Sequence, residues 1–222
     1  MRALLLSIDR FLRREDQVET TTGKLFREQL PIIIVCGLLY GALMGSYRGL
    51  ADDGWKQILL SAVKVPILFF VTFLLCLPSF FVLNVLAGLH ADFTRVLRAL
   101  LAFQALAVIV LAALGPITEL MNVSTPNYGF IVLWNGAMFA VASALGHWRM
   151  RWHYRPLIAA NPRHRQLLCV WTLLYWFVAI QMAWVLRPFV GDPGKPFQIL
   201  RPQAWGNAYV EIATLLWRVV HR

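Results

Sequence analysis

Acidic side chains are scarce in this sequence: eleven Asp and Glu stand against twenty-one Lys and Arg in 222 residues. The long apolar runs carry no carboxylate near their middles, which argues against a proton-coupled pump or ion pathway, because such machinery places acids at mid-membrane depth. Cysteine is nearly absent as well. Cys36, Cys76 and Cys169 make an odd number without a CxxC spacing, so neither a disulfide framework nor a zinc site is expected and the thiols read as buried and quiet. A cleavable leader is not expected either, since the apolar run before Asp9, Arg10, Arg13 and Arg14 is too short. No acid–base or nucleophile constellation stands out, and the chain reads as non-enzymatic, without a cofactor or metal.

What is abundant is apolar residue. They form 59% of the chain, with only 14% charged, against roughly 45–50% and about 25% in an average soluble domain. The excess lies in long runs. Five of them approach the ~20 residues that a helix needs to cross hydrocarbon: about 30–47, 58–89, 96–114, 130–148 and 167–186. The expected fold is therefore all-α, a polytopic membrane protein of about five transmembrane helices. The second run is too long for one straight crossing, and Pro66 and Pro78 within it predict kinks. The third is expected to end at Gly115-Pro116. Residues 1–29 read as a cytoplasmic or interfacial segment, 30–186 as the membrane domain, and 187–222 as a Pro-rich loop followed by an amphipathic helix on the outer face.

The net charge of +10 would suggest nucleic acid in a soluble protein. Here the basic residues lie between apolar runs, where orientation and anionic lipid explain them better, and nucleic acid is not an expected partner. Thirteen Lys and Arg fall on the side of the N-terminus and seven on the other. The excess places the N-terminus in the cytoplasm, in keeping with a bacterial inner membrane, and an odd number of spans puts the C-terminus outside. Trp148, Trp152, Trp171 and Trp184 lie near the expected boundaries, where an amphipathic ring is favoured.

Three patterns mark candidate functional residues. Gly37, Gly41, Gly45 and Gly49 recur every fourth position in the first span, which aligns them on one helix face and permits close backbone approach. That face serves either another subunit or an internal contact with span three or five. Lys64 lies within the second span and Glu119 beyond the third, on the same expected side. They form a polar pair lining a cavity, or Lys64 snorkels to water. The stretch HWRMRWHYRPLIAANPRHR between spans four and five holds five arginines and three histidines but no acid. Arg149, Arg151, Trp152, Arg155, Arg163 and Arg165 are expected to dock lipid headgroups or an acidic partner, or to form an ordinary positive-inside loop. Haem ligation by His90 and His147 is the weakest reading of these histidines. Scattered polar residues such as Thr72, Asn84, Gln104 and Asn135 suit interhelical hydrogen bonds.

The stretch LLCLPSFFVLNVLAGLHADFTRVLRALLAFQALAVIVLAAL resembles bacterial members of the Yip (Ypt-interacting) membrane protein family. It shows a proline inside a span, a turn at Gly88, an aromatic at Phe93 and then a span with regularly spaced leucines. The resemblance implies a five-helix membrane adaptor without enzymatic activity. Taken together, the expected function is a non-catalytic membrane subunit or scaffold that packs against partner membrane proteins; the alternative is a small-solute transporter using Lys64 and Glu119.

Overall fold

The computed structural model describes residues 2–13, 22–49 and 54–192, with Leu200 and Val210 beyond them. The expected C-terminal amphipathic helix from Gln203 lies outside the described residues. Among the described residues six helices follow in order: α1 Arg2–Leu12, α2 Thr22–Gly45, α3 Gly54–Leu86, α4 Phe93–Ser124, α5 Tyr128–Ala160 and α6 Arg163–Val185. One-turn 3-10 segments at Ser46–Arg48 and His90–Asp92 complete them, and no strand occurs among the described residues. Five helices, all but α1, are long and apolar enough to cross a membrane.

Helix ends are set by local chemistry. α3 closes in a Schellman turn: the Leu89 amide donates to the Asn84 carbonyl at 2.8 Å and Gly88 to Val85 at 2.9 Å. Gly88 takes φ +74° there, a conformation that a Cβ would strain. Asn127 caps α5, its side chain accepting from the Phe130 amide at 3.1 Å.

Two helices run further than the apolar runs suggest. α4 passes through Gly115-Pro116 to Ser124. Proline removes one backbone donor, and tertiary contacts hold the helix beyond it: Gly115 packs directly under Leu43 of α2, and Asn122 donates to the Leu43 carbonyl at 2.9 Å. α5 continues through the arginine-rich stretch to Ala160, so the expected connection 147–165 is mostly helix. Arginine is a good helix former, and the break comes only at Asn161-Pro162. The 33 residues of α5 span about 50 Å, well beyond the ~30 Å of hydrocarbon.

α2 packs between α3 and α4, α4 also lies along α5, and α6 lies against α3 and, less closely, α5. The most enclosed segment is Ala99–Ala105 of α4, where seven consecutive side chains are at most 2% exposed. Two apolar clusters make up the core. One, around Tyr40, Val65, Leu111 and Ile131, also takes in Phe11 of α1 and, after α6, Phe189 and Val190. The other gathers around Phe80, Leu100, Tyr154 and Trp171. The end of the bundle with Glu119 is its far end, and the end with the arginines its basic end. Two mid-bundle amides bridge helices: Tyr40 donates to the Asn135 side-chain oxygen at 2.9 Å, and Gln104 donates to the Phe69 carbonyl at 3.2 Å. Asn84 instead donates to Phe80 of its own helix at 2.8 Å.

Candidate functional site

The densest polar construction lies at the far end, where the chain after α6 turns back into the bundle. Phe189 and Val190 are 8% and 4% exposed and belong to the apolar core. Burying irregular backbone is unfavourable unless its carbonyls find donors. α3 supplies them from one face, at a helical spacing of four and three. Gln57 donates to the Phe189 carbonyl at 3.0 Å and to Pro188 at 3.3 Å; Ser61 also donates to Phe189. Lys64 donates to the Pro188 carbonyl at 2.9 Å, with its ammonium 6.0 Å from the centre of the Phe189 ring. From α5, the Tyr128 hydroxyl reaches the Val190 carbonyl at 3.3 Å. Four side chains therefore hold three consecutive carbonyls. Gly191 completes the fit, because a Cβ there would meet Gln57 Cγ at 2.8 Å. The sequence placed residues 187–192 in a Pro-rich loop; they are irregular, and they fold into the bundle as an inward strap.

This strap changes the reading of Lys64. It is 4% exposed and begins ten residues into α3, roughly 15 Å along the axis. It neither ends in open water nor pairs with Glu119. Glu119 accepts from Ser46 at 2.5 Å and from Asn122 at 3.4 Å, on the α2–α4 seam. The two groups belong to separate seams because α2 packs against both α3 and α4. Gln57 and Ser61 were missed by sequence reasoning, although their spacing with Lys64 in an apolar helix was a legible signal.

The glycine stripe faces the same helix. A Cβ at Gly37 would meet Pro66 Cγ at 2.9 Å, one at Gly41 the Ala62 Cα at 2.8 Å, and one at Gly45 the Ser61 Cβ at 2.9 Å. The stripe thus packs on α3, the second span, rather than on span three or five or on a surface left for another subunit. Gly49 lies past the helix end at φ +79°, with nothing near its absent Cβ.

At the basic end, Arg149 departs from the other arginines. It is 5% exposed, donates to the Phe11 carbonyl of α1 at 3.0 Å and stacks 5.0 Å from the Phe11 ring centre. It anchors the N-terminal helix and does not face headgroups. Arg151, Arg155, Arg163 and Arg165 are exposed and Trp152 is half-buried; Arg163 reaches the Ala87 carbonyl at 3.3 Å. His164 is wholly buried and lies 3.3 Å from the Asp92 carboxylate, joining the two connections at this end.

His147 is buried with Nδ1 on the Ser143 carbonyl at 2.8 Å, whereas His90 is exposed, so the two do not share one pocket. Among the described residues no group of three His, Cys, Asp or Glu could hold a metal ion. Cys36 and Cys76 are buried, while Cys169 is exposed, against expectation; its position on the outer side of α6 accounts for this.

No family model, curated protein or solved structure matches the chain. Its own geometry carries the functional argument.

The strap makes a direct prediction. Gln57→Leu combined with Ser61→Ala removes three donations to the strap. At about 1 kcal/mol for each hydrogen bond, the held state should weaken by about 2–3 kcal/mol. The readout is maleimide labelling of a Val190→Cys probe in a background lacking the native cysteines. Labelling should accelerate at least tenfold in the double variant; an unchanged rate would mean that these donors do not hold the segment.

Proposed function

We propose that the chain is an integral protein of a bacterial inner membrane, with its N-terminus in the cytoplasm, serving as a non-catalytic subunit or scaffold that packs against partner membrane proteins. The supporting observation is the contrast between the inside and outside of the bundle. Inside, the polar groups that a transporter would use hold helices and strap together: Lys64 on Pro188, Glu119 on Ser46, Arg149 on Phe11. Outside, α6 presents Leu173 at 66%, Phe177 at 60% and Trp176 at 45% exposure, and α5 presents Leu133 at 56%. In lipid, helix association depends on dispersion and fit rather than on a hydrophobic force. Broad faces of large apolar side chains suit both lipid and a neighbouring helix.

The adaptor role implied by the Yip resemblance points the same way. The transporter alternative is weaker, since Lys64 and Glu119 belong to separate networks. Photocrosslinking from Leu173 and Phe177 in native membranes, followed by purification in mild detergent, tests the proposal. It predicts discrete adducts with another membrane protein. A chain that stays monomeric in every mild detergent and yields only lipid adducts would overturn it. A flux abolished by Lys64→Met in a folded protein would favour the transporter.

A further inference from the structure

We propose that the basic end, where α5 runs on past its apolar stretch and α6 begins, is a binding surface for anionic phospholipid, with Arg151 and Arg155 of α5 and Arg165 of α6 holding the headgroup phosphates. This deepens the membrane reading above and rests on it. The exposed face of α5 changes character along its length. Phe130, Leu133, Val141 and Leu145 are all more than 40% exposed, and the same face continues through Trp148 at 58%. From Phe130 to Trp148 is eighteen residues, about 27 Å of helix, close to the thickness of the hydrocarbon layer. Beyond Trp148 the face becomes Arg151, Trp152 and Arg155, at a spacing of three, four and seven from it. The arginines therefore stand about 5–10 Å past the ring that marks the hydrocarbon boundary. That is the depth of phosphate groups.

Charge then selects the lipid. Between His147 and Arg165 there are five arginines and no acid. Arg149 is turned inward to Phe11 and Arg163 reaches Ala87. Among the described residues, Arg151, Arg155 and Arg165 are exposed and make no ion pair; Asp92 at this end is already engaged by His164 and Arg95. A guanidinium presents a planar fork of donors that fits a phosphate in two places at once. A zwitterionic lipid brings its own ammonium near that phosphate, whereas phosphatidylglycerol does not. Two forks on the α5 face beyond Trp148, with a third at the start of α6, thus favour the anionic lipid.

The test uses the full chain reconstituted in vesicles of phosphatidylcholine with a minority of phosphatidylglycerol, one of the two lipids carrying brominated acyl chains that quench nearby tryptophan. At equal mole fraction, brominated phosphatidylglycerol should quench severalfold more than brominated phosphatidylcholine. The variant Arg151→Gln/Arg155→Gln/Arg165→Gln should bring the two close to equality, and Trp148→Phe should remove most of the difference. Arg10→Gln/Arg13→Gln/Arg27→Gln changes net charge equally and should leave the preference largely intact. Equal quenching in the unmodified chain overturns the proposal in favour of an acidic protein partner. So does a loss as large in the control triple, which would reduce the effect to net charge. Quenching by neither lipid would instead sink the membrane reading itself.

Discussion

Gly41→Leu is expected to abolish the folded bundle, or to leave it so weakened that it aggregates on mild heating in detergent. At this position a side chain would run into backbone: an added Cβ would lie 2.8 Å from the Ala62 Cα. Flexible side chains can turn aside from such a contact, whereas the α3 backbone can yield only by moving as a unit. Overpacking commonly costs 1–3 kcal/mol where side chains give way, and a rigid neighbour puts this case at about 3 kcal/mol or more. Gly136→Leu is the control. That glycine is exposed on α5 with nothing within 4 Å of its missing Cβ, and the variant should match the unmodified protein. Elution volume and the midpoint of thermal aggregation compare all three. A Gly41→Leu protein as stable as the Gly136→Leu one would refute the close α2–α3 contact.

Parts of this architecture were readable from residues alone, and the reason differs by feature. Five long apolar helices were visible because run length is itself the physical requirement for crossing hydrocarbon. The turn at Gly88 was visible because a left-handed helix cap favours glycine. Helix ends were not. The end of an apolar run marks where the surroundings change from apolar to polar, and α5 crosses that boundary while remaining helical, because arginine and tryptophan at 148–155 do not break a helix. Pro116 misled in the opposite direction: it removes one hydrogen bond, but contacts from Thr118 to Asn122 against α2 hold the helix together beyond it. The glycine spacing announced close packing and said nothing of the partner, which any helix of small or slender profile could have been. Lys64 was read as pairing with Glu119 or as snorkelling to water, yet it donates to a backbone carbonyl. Every residue has a carbonyl, so no residue type in the tail could have identified Pro188.

Trp171→Ala is expected to release α6 from the bundle. The ring is fully buried, with its centre 4.7 Å from that of Phe80, 5.6 Å from Tyr175 and 6.5 Å from Phe73. α6 has few alternatives to this contact. Six of its residues are buried, against fourteen of α4, and its packing falls mainly on α3. In lipid, removal of the ring is not offset by a water-driven closure of the gap, because the hydrophobic force between helices is missing there. What is lost is dispersion over many atom pairs, and a cavity remains between helices that touch at few other places. Tryptophan-to-alanine changes in packed cores cost about 3–5 kcal/mol. The indole nitrogen has no hydrogen-bond partner among the described residues, so its removal strands no buried acceptor and the cost is packing alone. Trp171→Phe, which keeps most of the contact area, should therefore recover more than half of the loss. Release of α6 would show as faster labelling of a Leu168→Cys probe, 7% exposed in the packed bundle, in a background without native thiols. It should also loosen the strap, since residues 187–192 continue directly from α6. Equal labelling rates in the alanine and phenylalanine variants would place the anchor of α6 elsewhere.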